Sequence, residues 1–454
     1  MSIEAQSPTA HIAENEPTRA YFARPGGGRA LDPDLDGYKR FRAWFTRPLL
    51  TRPAILDAEQ TRRLDHDLPV LLETLQSLPE RLFAGDEQAF ARAIGWHQPT
   101  VAQALETLSG PAVPLGRADL VNTPAGFQMV EFNTSSSLGS MEFGELCRAV
   151  LTDDAFGDFA DSEQLSFQDP LTMMVDTMLR TTGFGPADRP VVALVEWPTT
   201  EITVNASLFV DLLVDLGFRV LTCTLADLEL TGAGLYVDDV RIDIVYRVFL
   251  LKAVAEDEHA PELLRPLVQA VSSGAVRLFS PVNADLYGTK TCMALLSDER
   301  NRDAFTPAEL DVIDRALPWT RSMADAENVA ADEGGSLAEY VLAHQEELVL
   351  KPGIGHAGLG VVAGWLHPPE EWARHVRTAA RGDHIVQRRA YSVAERFPGA
   401  TPADPPTACF LHWGLFVTGA GLSGGFVKGL PDRPQDVRYL GDGSHVGCIF
   451  HSTA

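Results

Sequence analysis

Leu115-Gly-Arg-Ala-Asp-Leu-Val121, Asn122-Thr-Pro-Ala-Gly126 and Phe127-Gln-Met-Val-Glu-Phe-Asn133 form the continuous stretch on which the fold turns. Two strand-forming runs flank a turn rich in Asn, Pro and Gly, so the segment predicts a β-hairpin. With Pro124-Ala125-Gly126 as a three-residue loop, Gly126 takes the left-handed position, Asp119 faces Glu131, and Arg117 faces Asn133. Residues two apart share a face of a strand, so these four polar groups lie together. Ala118, Leu120, Val130 and Phe132 then make an apolar face behind them. Burial of that face fixes the register, because a slip of one residue would turn every apolar side chain into water.

Two carboxylates directly opposite each other have Cβ atoms about 5 Å apart and repel. A hard cation between them removes the repulsion, and Asn133 adds a neutral oxygen. Mg²⁺ takes one or two carboxylates in this way and completes its shell with water and phosphate oxygens. Asp119, Glu131 and Asn133 are therefore candidate metal ligands. The competing interpretation is a solvent-facing hairpin in which Arg117 neutralises one acid.

A second stretch carries phosphate chemistry. Glu347-Leu-Val-Leu350 reads as a strand running into Lys351-Pro-Gly-Ile-Gly-His-Ala-Gly-Leu-Gly360, after which Val361-Val-Ala-Gly-Trp365 reads as another strand. The glycines at Gly353, Gly355 and Gly358 match GxGxxG. A dinucleotide fingerprint needs a helix to begin in that loop, and no Walker A sequence is present. Strand, glycine loop and strand make a flap whose backbone N–H groups can cover phosphates, with Lys351 at its mouth and His356 within it. A tight hairpin with a solvated lysine is the plainer alternative. Lys290 lies near the start of an apolar helical run, and His384 to Arg389 reads as a strand whose backbone could pair with an adenine edge, placing Gln387, Arg388 and Arg389 at the nucleotide. Arg247 and Arg321 are candidates for a substrate carboxylate or for structural ion pairs.

The 454 residues suggest two to four units. Residues 1–35, rich in Gly and Pro, read as a flexible lead. The interval 36–160 combines helices (57–77, 87–108 and 141–151) with the hairpin, while Asp153 to Glu163 reads as an acidic linker. In 170–285, Val191 to Val195, Phe218 to Leu221 and Asp243 to Arg247 alternate with helical runs, predicting a small parallel α/β unit. The remainder, 286–454, includes the capping box Thr306-Pro-Ala-Glu309, which predicts a helix over 307–316. A net charge of −25 disfavours nucleic-acid and anionic-membrane partners. Neither a signal-peptide core nor an apolar run of membrane length occurs. The five scattered cysteines form no CxxC pair, which fits free thiols and a cytoplasmic location.

Together these segments resemble the glutathionylspermidine synthase-like, circularly permuted branch of the ATP-grasp superfamily. That family's Arg-x-Asp and Glu-x-Asn metal motif is matched by Arg117, Asp119, Glu131 and Asn133. Its lysine segment resembles Gly288-Thr-Lys290, without the asparagine. Its Lys-Pro-x-x-Gly-Arg flap resembles Lys351-Pro-Gly-Ile-Gly355, with His356 in place of the arginine. The resemblance implies an α/β (α+β) ATP-grasp fold, circularly permuted, with a small pre-ATP-grasp-like lobe, and nucleotide-binding subdomains over 286–454. It implies ATP and one or two Mg²⁺ as cofactors, and small-molecule or peptide carboxylate and amine substrates joined through an acyl phosphate. Asp119, Glu131 and Asn133 would hold metal, Lys290, Lys351 and the flap would hold triphosphate, and Arg117 would act on the transferring group. An ATP-dependent kinase and a catalytically silent nucleotide-binding protein remain the rival functions.

Overall fold

The computed structural model describes residues 12–24, 28–134, 138–199, 207–324, 326–327, 334–355, 358–401, 403–431 and 443–452. The hairpin forms, with strands Leu115–Thr123 and Gly126–Asn133, and it lies at one edge of a sheet that has eight strands among the described residues. Thr407–Thr418 pairs antiparallel with its first strand, followed by Gly421–Pro431, His445–Ser452 and, in parallel, Ala54–Leu56. Strands from the two ends of the chain thus share one sheet. The interval 286–454 is accordingly divided between this sheet and a smaller one.

The helix Ala58–Gln76 lies against this sheet, opened by a capping box between Asp57 and Gln60. Its Leu64, Leu68, Leu71, Leu72 and Leu75 recur at helical spacing and are buried. The expected helix over 87–108 is two helices, Glu87–Ala93 and Pro99–Leu108, because Gly95 (φ 105°) and the Pro at the start of the second break the run. The acidic linker is instead the helix Asp154–Ser162. Asp153 caps it, and Phe156, Phe159 and Ala160 are buried at helical spacing. The lead is also corrected in its described part: Glu16–Ala23 is a helix capped by Asn15, and Tyr21 packs edge-on against Phe159.

Val191–Glu196, Arg219–Thr224, Ile244–Arg247 and Arg277–Phe279 form an all-parallel sheet, as the alternation of strands and helices predicts. Val192, Ala193, Leu194 and Val195 are fully enclosed, the pattern of a strand covered on both faces. A third body is antiparallel, in the order Thr320–Ser322, His384–Arg388, Leu348–Pro352, Val362–Ala363. Its own core joins Leu348, Leu350 and Val386 to Trp372 and Val376 of the helix Pro369–Ala379. Among the described residues, no helix is long and apolar enough to cross a membrane.

Candidate active site

In the hairpin, Asp119 does face Glu131 and Arg117 does face Asn133, but the turn that sets this register differs from expectation. Thr123 pairs with Gly126, leaving Pro124 and Ala125 as a two-residue loop, and the Thr123 hydroxyl donates to the Gly126 carbonyl at 2.8 Å. A bulge beyond Asp119 takes back the one-residue slip, so Leu120 pairs with Met129 and Val130 is the extra residue. Met129, not Val130, consequently joins Ala118, Leu120 and Phe132 in the core. The bulge also frees the Val130 carbonyl from the ladder, where it accepts from Lys351 Nζ at 2.8 Å.

This contact brings the third body onto the hairpin. Lys351, from strand Leu348–Pro352, also donates to Gln387 Oε1 at 2.7 Å, and Gln387 donates in turn to Thr320 Oγ1 at 3.0 Å. Lys290 is the first residue of the helix Lys290–Ser297, and its ammonium donates to Glu131 Oε1 and to the Gly355 carbonyl, both at 2.8 Å. The Lys290 backbone N–H donates to the Gly353 carbonyl at 2.9 Å. A Cβ at Gly353 would stand 2.8 Å from Thr291 Oγ1, so glycine is what permits this close approach of flap and helix. Gly358 carries a φ of +71° beyond it; His356 lies outside the described residues.

Arg117 grips Asp119 through Nε on Oδ1 at 2.8 Å and Nη2 on Oδ2 at 3.3 Å, and reaches the Gly139 carbonyl at 3.2 Å. The pair is not solvent-facing, since Asp119 is 7% exposed. Burial alone would raise the Asp119 carboxyl, but Arg117, His412 and Lys428 outweigh it and hold it below its ordinary value. No local motif marks His412 and Lys428. They pair across neighbouring strands, His412 opposite both Val121 and Lys428, which puts them on the Asp119 face. Their period-two placement on long strands was visible; the order of strands that carries them to the hairpin was not.

Burial pushes the Lys351 ammonium down to about 8, with Lys290 adding to the effect and Glu131 and Asp119 opposing it. It likewise pushes the His412 imidazole to about 4, so that ring is neutral near pH 7. Among the described residues of this cluster, four cations (Arg117, Lys290, Lys351, Lys428) meet two carboxylates (Asp119, Glu131), a surplus of two positive charges inside a chain of net charge −25. Beside it opens a cleft of about 550 Å³, continuous with solvent and lined by Glu131, Asn133, Lys252, Gly353 and Gly355 among others, with Asp285, the partner of Arg247, also on its wall. Two facing carboxylates and an amide on one face of the hairpin fit the oxygen-donor set that Mg²⁺ takes.

Other predicted groups stand apart. Strand His384–Arg388 is paired on both edges, so its backbone has no free edge for an adenine. Arg388 alternates to the face opposite Gln387, where it meets the Tyr340 hydroxyl at 3.3 Å and lies 5.8 Å from the Trp319 ring. Arg389 stacks on Trp365 at 3.8 Å. Arg247 is fully buried, with donors on the Ser280, Phe249 and Pro281 carbonyls and on Asp285 at 2.6 Å, which makes it structural. Arg321 is engaged by Ser297 and lies 4.9 Å from the Trp319 ring.

No protein-family model matches the sequence, and no curated protein matches it either. Among solved structures, a glutathione synthetase-like effector from Globodera pallida is similar over 89% of this chain and 90% of its own, at 14% identity and a TM-score of 0.53. A candidate gamma-glutamylcysteine synthetase from Methylobacillus flagellatus aligns over 83% and 85% at 12% identity (TM-score 0.39), and a D-cycloserine synthetase over 44% and 58% at 21% identity (TM-score 0.25). The last two superpose too loosely to bear on the fold; the first shows that this chain shares the mixed α/β architecture of a glutathione synthetase-like protein.

Proposed function

We propose that this chain is an ATP-grasp ligase that joins a carboxylate to an amine with release of ADP and phosphate. The observation that carries the proposal is the positive surplus of the hairpin cluster, which an otherwise strongly acidic protein concentrates beneath a glycine flap. Buried cations without counter-charge are costly, and a triphosphate supplies that charge. The fold shared with a glutathione synthetase-like effector and the resemblance of the hairpin and flap motifs to the circularly permuted ATP-grasp branch support the same conclusion.

Asp119, Glu131 and Asn133 would hold one or two Mg²⁺, which would shield phosphate charge and ease departure of ADP. Lys290 and Lys351 neutralise the triphosphate, while the backbone amides near Gly355 and Gly358 cover it. A substrate carboxylate oxygen in the cleft attacks the γ-phosphorus as its bond to ADP breaks. Arg117 stabilises charge on the transferring group, an electrostatic contribution of the kind that dominates phosphoryl transfer. The amine then attacks the acyl carbon, phosphate leaves with the bonding electrons, and the nitrogen loses its proton.

The test is a mass-spectrometric screen of acid and amine mixtures incubated with the chain and MgATP. A condensed product formed with one ADP per amide supports the ligase. A phosphorylated product formed without any amine requirement makes the chain a kinase, and MgATP binding without consumption under every mixture makes it a silent binder. Asp119→Asn is expected to abolish turnover with the fold retained; full activity in that variant would remove the metal assignment.

A further inference from the structure

We propose that His367, Glu371 and His375 form a binding site for a divalent transition-metal ion of the zinc class, at the root of the flap's returning arm. One ligand atom from each of the three side chains lies within 4.8 Å of the other two, and all three residues are half-buried. Neither the hairpin chemistry nor the proposed ligase reaction uses them.

The spacing builds the cluster. Glu371 and His375 stand one turn apart on the helix Pro369–Ala379, so their side chains share a face. His367 precedes the helix by two residues, in register with Glu371. Its backbone is fixed from both sides: its N–H donates to the Gly364 carbonyl at 3.2 Å, and its carbonyl accepts from Gln345 Nε2 at 2.6 Å. The two carboxylate oxygens of Glu371 are divided. Oε1 accepts from Arg374 at 3.1 Å, and Oε2 lies 3.2 Å from His367 Nδ1. Arg374 thereby acts as the outer partner that orients a ligating carboxylate.

Ligand atoms about 2.0–2.2 Å from a tetrahedral ion sit roughly 3.4 Å from each other. The His367–Glu371 pair already has that spacing. The His367 and His375 rings are 5.1 Å apart between centroids, so modest side-chain rotation closes the third side. Two imidazoles and one carboxylate select zinc, copper or nickel over magnesium and calcium, whose preference is for oxygen. The site also has a mechanical position: the returning strand Val362–Ala363 passes through the turn Gly364–Leu366 directly into His367. An ion held there ties the end of the flap to the helix.

The test titrates the full, chelator-treated chain with Zn²⁺, and with Co²⁺ read by its visible absorption, in excess Mg²⁺ to occupy the oxygen-rich hairpin. One equivalent bound at micromolar metal is expected, with two imidazoles seen by zinc X-ray absorption. His375→Ala is expected to weaken binding by at least about 100-fold and Arg374→Ala by about 10-fold, with circular dichroism confirming both folds. Zinc is also expected to slow hydrogen exchange over 362–367 in the wild type. Equal affinity in wild type and a His367→Ala/His375→Ala double variant overturns the proposal, as does absence of zinc binding in the wild type. Either result leaves the ligase assignment untouched, because this site does not rest on it.

Discussion

Arg247–Asp285, with both residues buried, and Arg117–Asp119, with its aspartate buried and its arginine partly so, are arginine–aspartate pairs at 2.6 and 2.8 Å, yet their surroundings differ in charge and in saturation. Around Arg247 every nitrogen has a protein partner: the carbonyls of Ser280, Phe249 and Pro281 accept from Nε, Nη1 and Nη2, and the second oxygen of Asp285 accepts the Leu251 N–H at 2.6 Å. The charges cancel and the bonds close. Around Arg117 they do not cancel, because Lys290, Lys351 and Lys428 outnumber the acids and burial has already weakened one ammonium to about 8. A saturated, neutral pair holds two segments together; an over-cationic cluster beside an open cleft is prepared for an anion that the chain itself does not supply.

Substitutions sharpen this contrast. Asp285→Ala is expected to have the largest effect, a loss of about 3–5 kcal/mol in urea-denaturation stability, since it leaves Arg247 charged and unpaired in the interior. A loss under about 1 kcal/mol would remove the distinction between the two pairs. Lys351→Met is expected to behave differently. Relief of buried charge offsets the loss of a donor to Val130 and Gln387, so stability should change by no more than about 1 kcal/mol. Affinity for MgATP should nevertheless fall by about 10- to 100-fold, the worth of a charge-assisted contact. A collapse in stability comparable to that of Asp285→Ala would make Lys351 structural.

The pH dependence is a smaller effect with a definite sign. The folded value of Lys351, about 8, lies below the ordinary lysine value of about 10.4. Between these values the unfolded chain binds more protons, so this group makes stability rise with pH across that window and contributes no further change above it. Triphosphate draws the value back up. MgATP binding at pH 8 should therefore take up roughly half a proton, measured by calorimetry in buffers of different ionisation enthalpy. Absence of uptake would place the phosphates away from Lys351. The smallest effect is expected from Arg388→Ala, which should change stability by less than about 0.5 kcal/mol and leave ATP affinity unaltered, because that side chain lies on the face opposite Gln387.

Local signals were legible where burial enforces them. The register at Asp119 and Glu131 could be read because one hairpin face must be apolar, and the helix over 307–316 because Thr306 and Glu309 cap it. The bulge at Val130 was hidden, since a shorter turn and an added residue cancel before the acids are reached. Asp153 to Glu163 was misread because its acids masked the buried spacing of Phe156, Phe159 and Ala160. His412 and Lys428 required the strand order, a property of the whole chain that no local pattern encodes. The same applies to strand His384–Arg388: its residues mark a strand, but only the sheet reveals that both its edges are taken.

The most direct test of the over-cationic cluster as a nucleotide site is titration calorimetry of ATP, with and without Mg²⁺, on the wild type and on Lys351→Ala. Magnesium-dependent binding at one site that weakens by at least about 10-fold in the variant is the expected result. Binding of equal strength in both proteins, or binding indifferent to magnesium, would contradict the assignment of the hairpin acids and Lys351 to MgATP.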